Sequence, residues 1–315
     1  MHHEKSDAPV RPRLIAALIG IGYAGAAAPQ TARPEAAPAI PVPSQRTAGA
    51  GGVELAVYEA GVRGRPAIVF IHGFSQNTMT WRPQFSGPLA DRFHLVGYDL
   101  RGHGASETPP APNGYVESTL WADDLAAVIR DRGLQRPVLV GWSYGGYIIA
   151  DYLRRYGDAD LGGIVLVAAV TKNGTEEAAG FLTDEVLAIF GDVLASEVGR
   201  SLAGTRALVD LWAAPGSSDW QLGYGSAMMV PPEVRSAMFS RVLDNDDVLN
   251  GVRVPTLVVH GRDDRIVRVR ASEHAASMVK GARLVLYEGA GHTPHRDDPG
   301  RFNRDLAEFV GSLQR

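Results

Sequence analysis

Beyond residue 50 the chain alternates short β-branched runs with longer amphipathic stretches. The runs cover residues 53–59, 67–71, 94–98, 138–140, 164–167, 256–259 and 284–287. Several are apolar at every position, the pattern of parallel strands covered on both faces. The clearest helical periodicity is the last. Asp298 is placed to cap it, Pro299 suits a first turn, and Phe302, Leu306, Phe309, Val310 and Leu313 fall on one face. Alternating strand and helix predicts an α/β fold with a doubly wound, mostly parallel sheet.

The alternation lapses over residues 171–250. Helix-like patterns there cover residues 176–194 and 232–243, and Pro215-Gly216-Ser217-Ser218 marks a loop. This segment is expected to be a helical cap inserted into a core made of residues 51–170 and 251–315. Its Trp212, Trp220, Met228, Met229 and Met238 are singly explained by helix packing, and as a group they suit the roof of an apolar pocket.

The N-terminal region follows neither pattern. Lys5, Arg11 and Arg13 precede the apolar run Leu14-Ile15-Ala16-Ala17-Leu18-Ile19-Gly20-Ile21, and Ala24-Gly25-Ala26 resembles a cleavage site. Residues 1–28 are therefore expected to be an export signal cleaved near Ala26, delivering the chain to a periplasm or the cell exterior. An uncleaved tail on a cytoplasmic protein is the alternative, because Glu4 and Asp7 dilute the positive segment. A permanent membrane span is not expected, since the apolar run falls short of the roughly 20 residues a bilayer requires. Residues 29–50, rich in Pro, Ala and Gly, read as a flexible linker.

Composition narrows the function. With 315 residues and 45% apolar content, the chain can bury the core of one domain with an insertion or of two domains. Its 31 basic and 35 acidic residues are intermixed and give a net charge of −4, so no basic stripe exists to track a nucleic acid. The absence of cysteine removes disulfides, thiolate metal sites and a thiol nucleophile together. Covalent chemistry is left to Ser, Thr, Asp, Glu or Lys.

Gly141-Trp142-Ser143-Tyr144-Gly145 offers such chemistry. In a chain with 36 glycines a Gly-x-Ser-x-Gly string carries little weight by itself, but here a strand-like run leads in and a helical pattern beginning at Tyr147 leads out. A serine on so tight a turn sits in a strained backbone, and a Cβ at position 141 or 145 would crowd the adjoining strand and helix. The turn lifts Oγ clear of the sheet, with a helix N-terminus behind it that favours developing negative charge. The plainer role for Ser143 is a helix N-cap.

A serine hydroxyl needs a base to take its proton. Only His260, His274, His292 and His295 follow Ser143. His260 ends a buried strand and His274 sits within a helical pattern, where a core or solvated role is expected. His292, in the loop Gly289-Ala290-Gly291-His292, is the candidate base, and His295 is held in reserve. The acid that orients the imidazole comes from Asp263 or Asp264 after the strand ending at His260; the residues alone do not separate the two.

Together these motifs resemble the α/β-hydrolase superfamily over roughly residues 53–170 and 251–315. The resemblance implies that Asp264, last in Gly261-Arg262-Asp263-Asp264, is the acid. It also implies that the backbone N–H groups of Phe74, after His72-Gly73, and of Tyr144 form an oxyanion hole. The turn Asp99-Leu100-Arg101-Gly102-His103-Gly104-Ala105-Ser106 matches the family as well, with His103 structural. Dehalogenases and epoxide hydrolases of this superfamily carry aspartate at the nucleophile position, so Ser143 points to the esterase and cofactor-free haloperoxidase branch.

The expected activity is hydrolysis of a carboxylic ester or related acyl compound through an acyl-enzyme, with Ser143, Asp264 and His292 as catalytic residues and no metal or cofactor. The expected partner is a small-molecule acyl substrate. Alternatives are carbon–carbon bond or lactone hydrolysis, perhydrolysis, and a non-catalytic binding protein on the same fold.

Overall fold

The computed structural model describes residues 45–313. The expected export signal at residues 1–28, and the expected linker as far as residue 44, lie outside the described residues.

Among the described residues ten strands occur in chain order: β1 Gln45–Ala48, β2 Glu54–Gly61, β3 Ala67–Ile71, β4 His94–Tyr98, β5 Val138–Trp142, β6 Gly163–Val167, β7 Lys172–Asn173, β8 Leu243–Asp244, β9 Thr256–Gly261 and β10 Arg283–Tyr287. Eight of them form one sheet in the order β1-β2-β4-β3-β5-β6-β9-β10. β1 and β2 pair antiparallel, β2 runs antiparallel to β4, and every pairing beyond is parallel. The mostly parallel sheet read from the apolar runs is thus observed.

Covering both faces explains those runs. Val69, Ile71, Leu139, Ile164 and Leu166 pack on one face with Trp121, Leu125 and Ile148. The alternate positions Ile68, Phe70, Val138, Val140 and Val165 pack on the other, against Phe302, Leu306 and Val310. The last three belong to the helix Pro299–Ser312, whose start Asp298 caps by accepting from the Arg301 N–H at 2.9 Å. Each such buried side chain contributes about 1.5–3 kcal/mol as an upper bound, so packing rather than propensity fixes this helix.

The linker expected through residue 50 stops sooner. Gln45–Ala48 extends the sheet because its backbone pairs with β2, Thr47 Oγ1 donates to Asp131 at 2.6 Å, and the Ala50 N–H donates to Asp124 at 2.8 Å.

Between β7 and β8 the chain is helical: Glu176–Gly180, Asp184–Val193, Val198–Asp210, Ser218–Met228 and Pro232–Phe239. The stretch read as helical over 176–194 is two helices. Leu182 bridges to Val267 between them, and Thr183 restarts the second by capping the Val186 N–H. The helices Val198–Asp210 and Ser218–Met228 had no clear periodicity, but Glu197 and Ser217 cap them through side-chain oxygens. β7 and β8 pair antiparallel, Lys172 opposite Asp244, so this segment leaves and rejoins the core at one place. Among the described residues no helix is long and apolar enough to cross a membrane.

Candidate active site

β5 ends at Trp142, the helix Gly145–Tyr156 begins three residues later, and Ser143 stands between them at φ 51°. Such a left-handed conformation is costly for a residue with a Cβ and persists only where the surroundings impose it. Here they do. The Ser143 N–H donates to Val167 O at 3.0 Å, and its carbonyl accepts from the N–H groups of Gly146 at 2.9 Å and Val170 at 3.2 Å. A Cβ on Gly145 would lie 2.7 Å from Ile71 O, and one on Gly141 2.7 Å from Gly145 O, so the crowding inferred for both positions is present. Gly73 is constrained in the same way, because a Cβ there would come within 2.9 Å of the Trp142 ring and 3.1 Å of Ser143 Cβ.

Asp264 and His292 meet, one on the loop after β9 and the other on the loop after β10. His292 Nδ1 lies 2.7 Å from Asp264 Oδ2. A carboxylate only accepts, so the imidazole proton sits on Nδ1 and the Nε2 lone pair is left available. Asp264 Oδ1 accepts from the N–H groups of Ile266 at 2.8 Å and Val267 at 2.9 Å. Burial raises the Asp264 pKa, but the charge of His292 and the hydrogen bonds from His260 and His292 outweigh it and hold the carboxyl below its ordinary range. Asp263 is exposed and offers only its backbone N–H, to Ala290 O at 2.9 Å. The structure brings Asp264, and not Asp263, to His292.

His260 is buried, as expected for a strand end, yet it also belongs to this cluster. Its Nε2 lies 3.1 Å from Asp264 Oδ2 and 2.9 Å from Val267 O, and its Nδ1 lies 2.7 Å from Ser272 Oγ. With two acceptors facing it, Nε2 carries the proton, and the Ser272 hydroxyl donates to Nδ1. The four-residue spacing between His260 and Asp264 is the one local signal that could have placed this histidine beside that carboxylate. His295 packs instead on the Trp81 ring, with centroids 4.2 Å apart, and burial first, then Arg296, hold its pKa well below the usual value. His274 pairs with Asp246 at 2.8 Å.

Ser143, His292, Phe74 and Tyr144 all line one cavity of about 220 Å³. Its walls are mainly apolar, with Val186, Phe190, Trp212 and Phe239 supplied by the segment between β7 and β8. Of the bulky residues considered for a roof, Trp212 takes that position, whereas Met229 is 59% exposed and faces outward. Among the described residues no acceptor binds the Phe74 or Tyr144 backbone N–H, and nothing hydrogen-bonds Ser143 Oγ. Catalytic pairs commonly close to bonding distance only when substrate is present.

The loop carrying Phe74 is tied down by His72. The Leu100 N–H donates to His72 Nε2 at 2.9 Å, so the ring proton is on Nδ1, which donates to Gly73 O at 2.9 Å. Burial lowers the His72 pKa to about 4, keeping it neutral. His103 is likewise structural: Nδ1 lies 2.9 Å from Arg101 O, and burial, then His72, lower its pKa to about 3. Among the described residues no group of three or more His, Asp and Glu side chains is arranged to hold a metal ion.

A serine on a left-handed turn between a central parallel strand and a helix, with an aspartate and a histidine on loops from later strands, defines an α/β-hydrolase. The chain belongs to the alpha/beta hydrolase family, whose model matches residues 68–305. It is similar to the non-heme chloroperoxidase CPO-A1 of Kitasatospora aureofaciens, 30% identical over 272 residues that cover 82% of this chain and 96% of the relative. The bifunctional esterase/perhydrolase DCH of Acinetobacter calcoaceticus is 29% identical over 280 residues, 83% of this chain and 97% of its own. Among solved structures, the esterase RhEst1 from Rhodococcus sp. ECU1013 superposes with a TM-score of 0.80 at 31% identity, covering 85% of this chain and 98% of that one. These relatives place the chain in the esterase and haloperoxidase branch of the family.

Proposed function

We propose that the protein hydrolyses carboxylic esters through an acyl-enzyme on Ser143. The observation that carries this reading is the 2.7 Å contact of His292 Nδ1 with the ionised, buried Asp264, which leaves Nε2 as a base on the cavity that Ser143 lines. Nε2 takes the Ser143 proton as Oγ bonds to the ester carbon. The resulting oxyanion lies against the N–H groups of Phe74 and Tyr144. Collapse of this intermediate breaks the bond to the alcohol oxygen, which leaves with the proton held by His292. Water then adds to the acyl carbon, His292 again takes the proton, and the acid departs as Ser143 Oγ is reprotonated.

Similarity to the Acinetobacter esterase/perhydrolase supports a second acceptor. Hydrogen peroxide in place of water would yield a peracid and the free serine by the same proton transfers.

Fluorophosphonate labelling tests the nucleophile. Wild-type protein is expected to be labelled and to turn over p-nitrophenyl esters, and Ser143→Ala to do neither. A folded wild type that resists both reagents would overturn the proposal.

A further inference from the structure

Both residues expected to supply oxyanion donors are gripped by one short stretch, residues 238–241, at the end of the helix Pro232–Phe239. The Phe239 ring packs edge-on against Phe74 with centroids 4.7 Å apart, and lies 5.6 Å from the Tyr144 ring. The Tyr144 hydroxyl donates to Met238 O at 3.0 Å and accepts from Arg241 Nη1 at 3.2 Å. Burial above all raises the Tyr144 pKa to about 12, with Arg241 opposing, so the phenol stays protonated and can make both bonds.

The stretch is itself anchored on the core. Arg241 Nη2 reaches Asp151 Oδ1 at 2.7 Å and Oδ2 at 2.6 Å on the helix that follows Ser143, and Ser118 Oγ at 2.8 Å. Both partners of that ion pair are 1% exposed. Asn173 Nδ2 also donates to the carbonyls of Phe239 at 3.2 Å and Arg241 at 2.5 Å. A buried, multiply bonded arginine holds one geometry, because every alternative leaves a charge unpaired in a dry interior.

We infer that Arg241 and Phe239 are positioning residues that set the oxyanion hole, Arg241 through the Tyr144 hydroxyl and Phe239 through the Phe74 ring. The inference rests on the ester hydrolysis proposed above. An oxyanion hole works because its donors are fixed before charge develops, and a displacement of a few tenths of an ångström weakens its grip on the transition state more than its grip on the ground state. Deleting the backbone N–H of Tyr144 takes a proline, which removes the whole side chain with it, whereas a phenylalanine releases the hydroxyl alone.

Tyr144→Phe is the cleanest probe, since it keeps the ring and leaves Arg241 paired with Asp151. It is to be compared with wild type in three measurements: turnover of p-nitrophenyl acetate, inhibition by 2,2,2-trifluoroacetophenone, and inhibition by the inert 1-phenylethanol. The ketone adds Ser143 Oγ at its carbonyl carbon, passing the serine proton to His292 and creating an oxyanion, whereas the alcohol only fills the cavity. The expected result is a loss of about tenfold to a hundredfold in kcat and in ketone affinity, with KM and alcohol affinity within about twofold of wild type. Phe239→Leu should move the same two quantities in the same direction, and Arg241→Lys should fall between wild type and Arg241→Met. If Arg241→Met fails to fold, Tyr144→Phe still decides. A folded Tyr144→Phe protein with wild-type kcat and ketone affinity overturns the inference. If instead Ser143→Ala is as active as wild type, the ester-hydrolysis reading itself has failed.

Discussion

The indole N–H of Trp142 donates to the main-chain carbonyl of His292 at 2.8 Å, joining residues 150 positions apart. The two rings also lie against each other, with centroids 5.4 Å apart. The residue before Ser143 thereby holds the loop of His292. Trp142→Phe keeps an aromatic ring and removes this bond, worth about 1 kcal/mol. Steady-state assays with a p-nitrophenyl ester should show kcat lowered by about five- to tenfold, and an unchanged kcat would refute the restraint.

Asp264→Asn keeps the shape of the buried carboxyl but presents an amide that no longer enforces the Nδ1 proton of His292. Turnover should fall by about three to four orders of magnitude, while Asp263→Asn, on the exposed neighbour, should fall less than about threefold. Comparable losses in the two variants would remove Asp264 from its assigned role.

Stability should depend on pH through groups that lie outside the chemistry. His72, lowered to about 4, and His103, lowered to about 3, are neutral when folded but titrate near 6.5 when unfolded. The unfolded chain therefore binds more protons between these values, and stability is complete above about pH 6.5 and declines as the pH falls toward 4. His72 alone accounts for on the order of 3 kcal/mol at the acid end of that window. Asp264, held below its ordinary range, adds a further loss below about pH 4. Thermal melts from pH 8 to 3.5 should show Tm falling across the first window, with a shallower slope in His72→Gln, whose amide oxygen can still accept from Leu100. Equal slopes would contradict the assignment.

Arg101 and Asp124 form a buried pair away from the cavity, with Nε to Oδ2 and Nη2 to Oδ1 both at 2.7 Å. Burial raises the Asp124 pKa against the pull of Arg101, so the pair depends on both partners. Asp124→Ala strands the guanidinium and the Ala50 N–H, and urea unfolding should show a loss of about 3–5 kcal/mol. Arg101→Met with Asp124→Leu, which removes both charges, should recover most of that loss.

The sheet was legible because its central strands are apolar at consecutive positions, as in Ile68, Val69, Phe70 and Ile71, and that pattern has few other uses. β1 was not. Gln45, Arg46 and Ala48 are exposed, and the strand is fixed by pairing and by Thr47, which a hydrophobicity pattern does not register. Ser143 and His292 could be picked out because a nucleophile turn and a glycine-flanked loop leave local traces. Asp264 could be separated from Asp263 by family resemblance, and independently only by its burial and its contact with His292. The supports of the site left little local trace. His260 is only four residues from Asp264, but the turn that brings the two side chains together is not written in the hydrophobic pattern. Nothing near Arg241 announces Tyr144, because that relationship arises where distant elements converge.

The paired strands β7 and β8 give the roof a hinge-like seam, with Lys172 and Asp244 side by side where the segment departs and returns. A segment so bounded is exchangeable: another sequence grafted at the same seam would alter what fits the cavity and leave the strands bearing Ser143, Asp264 and His292 in place. The freedom has one condition. Because residues 238–241 hold Phe74 and Tyr144, a replacement roof must carry its own grip on those two residues, so selection for a new substrate and selection for rate meet at a single short stretch of chain.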